Sequence, residues 1–176
     1  GGEIGQFYGY EYAGVDENGN MLILNDKDEQ IPISQADAKY KRYIGNGAPK
    51  HFLSWSNNLT WRNFDLSVFF RGTFGFDVFN MRKYGMGLQG CGTDRSAYLE
   101  DKNIRTGGGV ISSYFLEDGS FIKLENVTLG YNFTPKNRKL LDNMRIYLSA
   151  KNLFTLTGYS GNDPSIIDVN GIQPGV

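Results

Sequence analysis

Around residues 126–133 apolar and polar side chains alternate without a break: Val127, Leu129, Tyr131 and Phe133 against Asn126, Thr128, Gly130 and Asn132. A period of two, with β-branched and aromatic residues on one side, predicts a strand with one greasy and one polar face. The pattern recurs in HFLSWSNNLTW, where Leu53, Trp55, Leu59 and Trp61 alternate with Phe52, Ser54, Ser56, Asn58 and Thr60. In FDLSVFFRG, Phe64, Leu66, Val68 and Phe70 alternate with Asp65, Ser67, Phe69 and Arg71. Only Arg62-Asn63 separates these two runs, so they predict a hairpin closed by a tight turn. A further strand over 144–157 sets Met144, Ile146, Leu148 and Ala150 against Arg145, Tyr147, Ser149 and Lys151. Asp118-Gly119 reads as a second hairpin turn, between SSYFLE and the long strand that ends before Pro135.

The rest of the chain is less regular. Residues 6–14 (QFYGYEYAG) read as an aromatic strand, 16–20 as a turn, and Met21–Leu24 as a short strand pairing back weakly. Residues 25–46 read as a long loop, with Ile31-Pro32 breaking any strand and a short helix over 34–43 started by Ser34 as N-cap. Residues 72–80 lead into a polar, glycine-broken region ending near Gly109. A helical piece at Lys139-Leu140-Leu141 and a loop-like tail over 158–176 complete the reading. No repeat of fixed period is present.

These two-faced strands fit two architectures. A soluble sandwich buries its apolar faces in one core and builds on strands of about 5 to 6 residues. A membrane barrel turns the apolar face to lipid and the polar face to a lumen, needs strands of about 9 to 11 residues, and gathers rings near strand ends. Periodicity alone leaves both open.

Composition narrows the class. Aromatics are 14% of the 176 residues and Gly numbers 23, a pairing that favours turn-rich β-structure over helices. The 18 basic and 19 acidic residues nearly cancel and form no run, which argues against a nucleic-acid stripe or a polybasic membrane patch. Cys91 has no second cysteine to pair with, and His51 is the single histidine, so no zinc set exists. No stretch is long and apolar enough for a membrane helix, a test blind to barrel strands.

Candidate chemistry is sparse. Asp16, Asn18 and Asn20 match the first three ligand positions of a calcium loop, but Met21 and Lys27 stand where Gly and Glu are required, so the stretch reads as a β-turn. Gly107-Gly108-Gly109 lacks the Lys-Ser/Thr of a phosphate loop and reads as flexible. Glu117 and Asp118 are adjacent on the chain, where strand geometry points them apart, so a turn role outweighs acid-base catalysis. His51 has no nucleophile partner at a recognisable spacing. The sequons at Asn58, Asn126 and Asn132 read as polar strand positions. No catalytic, metal or cofactor residue is expected. The weak candidates for stacking on a substrate are Phe69, Tyr84, Tyr98 and Tyr159.

Four segments in order, IGQFYGYEYAGV (4–15), IGNGAPKHFLSWSNNLTWRNFDLSVFFRGTFGFDVFN (44–80), YFLEDGSFIKLENVTLGYNF (114–133) and RIYLSAKNLFTLTGYSGNDPS (145–165), cover most of the chain. They resemble the C-terminal part of SusC/RagA-type TonB-dependent outer-membrane transporters of Bacteroidetes. The resemblance implies an all-β fold of antiparallel strands forming part of a 22-stranded transmembrane barrel with long extracellular loops, expected around 16–46, 82–112 and 158–176. It implies import of a large nutrient, glycan or peptide, energised by the TonB complex, with a SusD-like lipoprotein capping the outer mouth. Residues 1–176 are then expected to be a C-terminal portion lacking the plug, the TonB-box region, the early strands and the last strand. The rivals are a soluble β-sandwich carbohydrate-binding module, in which Leu53, Trp55, Leu59, Val127, Leu129 and Tyr131 converge on one core, and a passive porin without energy coupling.

Overall fold

The computed structural model describes residues 2, 4–88, 103–133, 143–161 and 163–165. It divides into two compact units, one of residues 50–74 and 120–158 and the other of 1–49, 75–119 and 159–176. Eleven strands are defined among the described residues: β1 Gln6–Gly9, β2 Tyr12–Val15, β3 Met21–Leu24, β4 Gln30–Pro32, β5 Arg42–Asn46, β6 His51–Trp61, β7 Phe64–Phe74, β8 Asp77–Phe79, β9 Leu116–Asp118, β10 Phe121–Phe133 and β11 Met144–Thr157.

The unit of residues 50–74 and 120–158 is one antiparallel sheet in the order β11-β10-β7-β6. Its strands run 11, 11, 13 and 14 residues in chain order, long for a globular domain. The Arg62-Asn63 turn forms as the sequence predicts. Arg62 takes φ +54, the left-handed value that tight hairpin turns need at their first central position. Asn63 Nδ2 then donates to Asn132 O at 2.7 Å and Asn132 N to Asn63 O at 2.7 Å, tying the turn to β10.

Register places whole rows of like residues across the sheet. Trp61, Phe64, Tyr131 and Ile146 form one row, and Leu59, Leu66, Leu129 and Leu148 the next. Asn57, Val68, Val127 and Ala150 follow, then Trp55, Phe70, Leu124 and Phe154. Leu124 joins this face only because the ladder shifts between Leu124 and Asn126. Without that bulge, Ile122 and Leu124 would fall out of phase with Val127, since an odd spacing flips a side chain to the other side. Two aromatic tiers bracket the aliphatic middle, with ring centroids 4.8 Å apart for Phe64–Tyr131 and 5.5 Å for Trp55–Phe70.

This apolar face has no core beneath it. Leu148 is 75% exposed, Leu53 58% and Leu129 47%, and Trp55, Leu59 and Tyr131 are exposed as well. The convergence on one core that a soluble sandwich requires does not occur.

The other unit has its own small core of Met21, Leu88, Ile104 and Phe115, all essentially inaccessible, with Tyr12, Val15, Ile33, Phe79, Tyr84 and Tyr114 packed around it. Here the structure departs from the sequence reading. Residues 6–14 form two strands in different sheets, since β1 pairs with β5 and β2 with β3. β3 is the centre of a β2-β3-β4 sheet and buries Met21 and Ile23 completely. The expected loop over 25–46 holds β4, β5 and two 3-10 turns. Pro32 closes β4 at the sheet edge, where its missing N–H costs nothing. No helix starts at Ser34; Ile33–Gln35 and Ala38–Tyr40 are single turns, the second capped by the Asp37 carboxylate on Lys39 N. The Asp118-Gly119 hairpin does not form either, because β9 pairs with β8 while β10 pairs with β7 and β11. Gly107 is packed rather than loose: with φ +102, any Cβ there would meet the Met21 sulfur at 2.7 Å. The expected helical piece at 139–141 and the end of the tail lie outside the described residues.

Candidate functional site

The polar side of the four-stranded sheet carries three groups of interacting side chains. Asp65 on β7 accepts from Asn132 Nδ2 on β10 at 2.8 Å and from Arg145 Nε on β11 at 3.2 Å, and it pairs with Arg145 Nη2 through its other oxygen. Asp65 and Arg145 are separated by the whole of β10. The carboxylate crosses that strand over Gly130, where an added methyl would come within 2.5 Å of both oxygens. Glycine is thus required there by close approach of a side chain, not by a turn. One step along the strands, Thr128 Oγ1 and Ser149 Oγ lie 2.9 Å apart, and Ser149 Oγ donates to Asn126 Oδ1 at 3.2 Å. Further on, Glu125, the residue added by the bulge, holds Oε2 3.0 Å from Arg71 Nε. The N–H of that nitrogen meets no acceptor, so the pair is a charge contact without a hydrogen bond. Alternation thus sorts charged, hydroxyl and amide groups onto one side and greasy groups onto the other.

In the other unit the sequence reading missed a polar hub. Glu117 accepts from Ser160 N and Oγ, both at 2.8 Å, and from Asn80 Nδ2 at 3.1 Å, with Lys83 Nζ 3.8 Å away. Asn80 is completely buried and also caps the short helix α1, Met81–Met86, by accepting from Lys83 N at 2.9 Å. Burial pushes the Glu117 carboxyl up, but the Ser160 amide and hydroxyl, the Asn80 amide and the Lys83 charge outweigh it and hold the group below its ordinary value. A depressed carboxyl adds stability that is present in full above the unfolded value of about 4.3 and is lost as pH falls through the lower folded value. Acidification below about pH 4 is therefore expected to release residues 159–161. Amide exchange at Ser160, corrected for intrinsic rates, should speed up over that range in the native protein and stay flat in Glu117→Gln; a flat profile in both defeats the assignment.

The expected turn at 16–20 is present. Asp16 accepts from Asn18 N at 2.9 Å, Asn20 N at 2.7 Å and Asn20 Nδ2 at 2.8 Å. The Asn20 bonds above all hold its carboxyl below the usual range. Those contacts occupy the carboxylate in building the turn. Among the described residues no cluster of three or more metal-ligating side chains occurs.

The four stacking candidates do not assemble. Phe69 lies on the polar side of the sheet, in register with Ser56 and Asn126. Tyr84 packs on Phe79 and Phe115, at 5.4 and 5.2 Å between centroids, and its hydroxyl donates to Gly109 O at 2.9 Å. Tyr159 is half-buried beside Glu117, and burial together with that charge pushes its phenol up. Tyr98 lies outside the described residues. The signal that finds Glu117 and Asn80 is absent from the sequence, because their partner Ser160 is 43 and 80 positions away.

No protein-family model matches the chain. It is 31% identical to the TonB-dependent receptor P3 of Formosa agariphila over 93% of this chain and 19% of that protein. To the TonB-dependent receptor SusC of Bacteroides thetaiotaomicron it is 27% identical, over 93% of this chain and 18% of the relative. Among solved structures, the RagAB peptide importer in its open-open state superposes with a TM-score of 0.73 at 24% identity, over 92% of this chain and 21% of that chain. A second structure of the RagAB peptide transporter gives 0.72 at 25% identity, over 90% and 20%. The chain therefore spans about a fifth of the length of the proteins it matches. The shared antiparallel fold and the similarity along nearly the whole chain identify it as a SusC/RagA-like segment of a TonB-dependent outer-membrane receptor.

Proposed function

We propose that this chain is a C-terminal portion of the wall of a 22-stranded barrel, through which a large nutrient, glycan or peptide, is imported under energy from TonB. The observation that carries the reading is the sheet's two-sidedness: one face apolar and uncovered, the other lined with hydrogen-bonded polar groups. An 11-residue strand is about 37 Å long and, tilted by about 45°, covers about 26 Å, close to the apolar band of an outer-membrane barrel. The Trp61, Phe64 and Tyr131 tier beside the hairpin turn suits one of the ring girdles such barrels carry at their interfaces. The family relation supports the outer membrane as the location, a SusD-like surface lipoprotein and TonB as partners, and transport rather than catalysis as the activity. Phe69, on the polar side, remains a candidate for substrate contact.

A strain lacking the receptor is expected to lose growth on one class of nutrient, either oligosaccharides or peptides, supplied as sole source. Restoring the wild-type gene should bring growth back, while a form that cannot engage TonB should not. Rescue by the uncoupled form would convert the reading to a passive porin.

A further inference from the structure

Arg71 stands on the polar side of β7, in register with Ser54 of β6 and Lys123 of β10. Its guanidinium is held at two points. Cζ lies over the Phe121 ring, 5.7 Å from its centre, and Nε lies 3.0 Å from Glu125 Oε2. Neither contact occupies the two terminal nitrogens, which make no hydrogen bond among the described residues. The side chain is 43% exposed. A guanidinium fixed by its inner edge and free at its outer one is a planar fork of donors, shaped for two parallel bonds to an oxyanion. Lys123, directly opposite, places a second cation in the same row. On the same side of β7, two residues nearer the Arg62-Asn63 turn, Phe69 adds an apolar ring about 7 Å along the strand.

The two-residue turn at Arg62-Asn63 marks the periplasmic end in the barrel reading, because such barrels have short periplasmic turns and longer outer loops. At their other ends β7 and β10 are joined through residues 75–120. Arg71 lies seven residues beyond Phe64, about 23 Å along the strand, in the outer half of the wall. Resting on that reading, we infer that Arg71 contacts the nutrient directly, its free fork receiving a carboxylate as the substrate enters from outside, with Phe69 against the apolar surface beside that group. Glu125 and Phe121 fix the guanidinium beforehand, so little side-chain freedom is lost when the ligand arrives. The substrate class is thereby acidic. Peptides rich in acidic residues and oligosaccharides of uronic acids both present this carboxylate.

The test uses the full-length receptor in detergent and two pools of probes, glutamate-rich peptides and oligogalacturonides, each also as its methyl ester. The wild type is expected to bind one acidic pool, and which one it binds identifies the source of the carboxylate. Esterifying that pool should weaken binding by about 10- to 100-fold, the size of a hydrogen-bonded contact to a charged group. Arg71→Gln should weaken binding of the acidic pool as much and leave the ester unaffected. Arg71→Lys keeps the charge without the fork and should recover only part of the loss. Failure of the wild type to bind either acidic pool overturns the inference. Equal losses for acid and ester in Arg71→Gln, or loss of the folded, heat-modifiable form in that variant, also overturn it, since they give the fork a partner inside the receptor. A nitroxide at Leu148 separates this from failure of the barrel reading: it should collide with oxygen and not with a polar nickel chelate. If it does so while Arg71→Gln binds both acidic pools as the wild type does, only the inference about Arg71 fails.

Discussion

Val127→Arg in the full-length receptor is expected to cost about 2–4 kcal/mol and to remove most of the folded, heat-modifiable form from the outer membrane. Val127 shares a row with Asn57, Val68 and Ala150, two rows in from the Trp61–Phe64–Tyr131 tier, in a strand paired on both sides. In the proposed barrel its side chain meets acyl chains near mid-height, where an arginine cannot reach either interface without deforming the bilayer. Thr128→Lys is the matched control, at the same height and one residue away on the opposite face, where Ser149 and Asn126 are its neighbours. It should change stability by less than about 1 kcal/mol, in line with substitutions in a hydrated setting. Equal tolerance of the two, or a reversal of their order, would mean that the greasy side does not face lipid. Urea unfolding of the receptor in bilayers reads both variants on one scale.

The 176-residue chain produced by itself should not give a folded monomer in detergent-free buffer. Among the described residues, β6 and β11 have one neighbour each, leaving strands of 11 and 14 residues with unpaired backbone groups along their outer edges. Long exposed edges with an apolar face are templates for pairing with another chain. In water the uncovered rows of Leu, Trp and Phe add a further drive to associate. In lipid, each unpaired N–H or C=O costs several kcal/mol, so the sheet is stable only when further strands flank it. Sedimentation velocity should show large aggregates, and refolding into detergent alone should leave the sheet protease-sensitive. A monodisperse species with native β-signal in plain buffer would remove the argument from edges and reopen a self-contained fold.

The two kinds of structure in this chain were unequally legible. The long strands of the sheet were predicted in phase, including the Arg62-Asn63 turn, because a local period of two reports which side each residue faces. The bulge at Glu125 escaped notice, although Ile122 and Leu124 are out of step with Val127 in the sequence, a mismatch that could have exposed it. The short strands were misjudged for a different reason. β3 is four residues of MLIL with no alternation to read, and its burial depends on Leu88, Ile104 and Phe115 arriving from distant segments. Asp118-Gly119 carries a strong turn signal, yet β9 finds its partner in β8, 37 to 41 residues earlier. Local propensity was outweighed there by pairing it cannot describe.

For the candidate site the division is similar. Alternation alone determined that Asp65, Thr128, Arg145 and Ser149 lie opposite the leucines, since neighbouring residues of a strand must point to opposite sides. Only the fold decided that the Asp65 carboxylate bridges β10 to Arg145 over Gly130 and that Ser160 closes on Glu117. Each of these depends on which strands lie side by side and in what register. A sequence specifies that through the summed fit of many weak cross-strand contacts, and no single stretch of it spells the answer out.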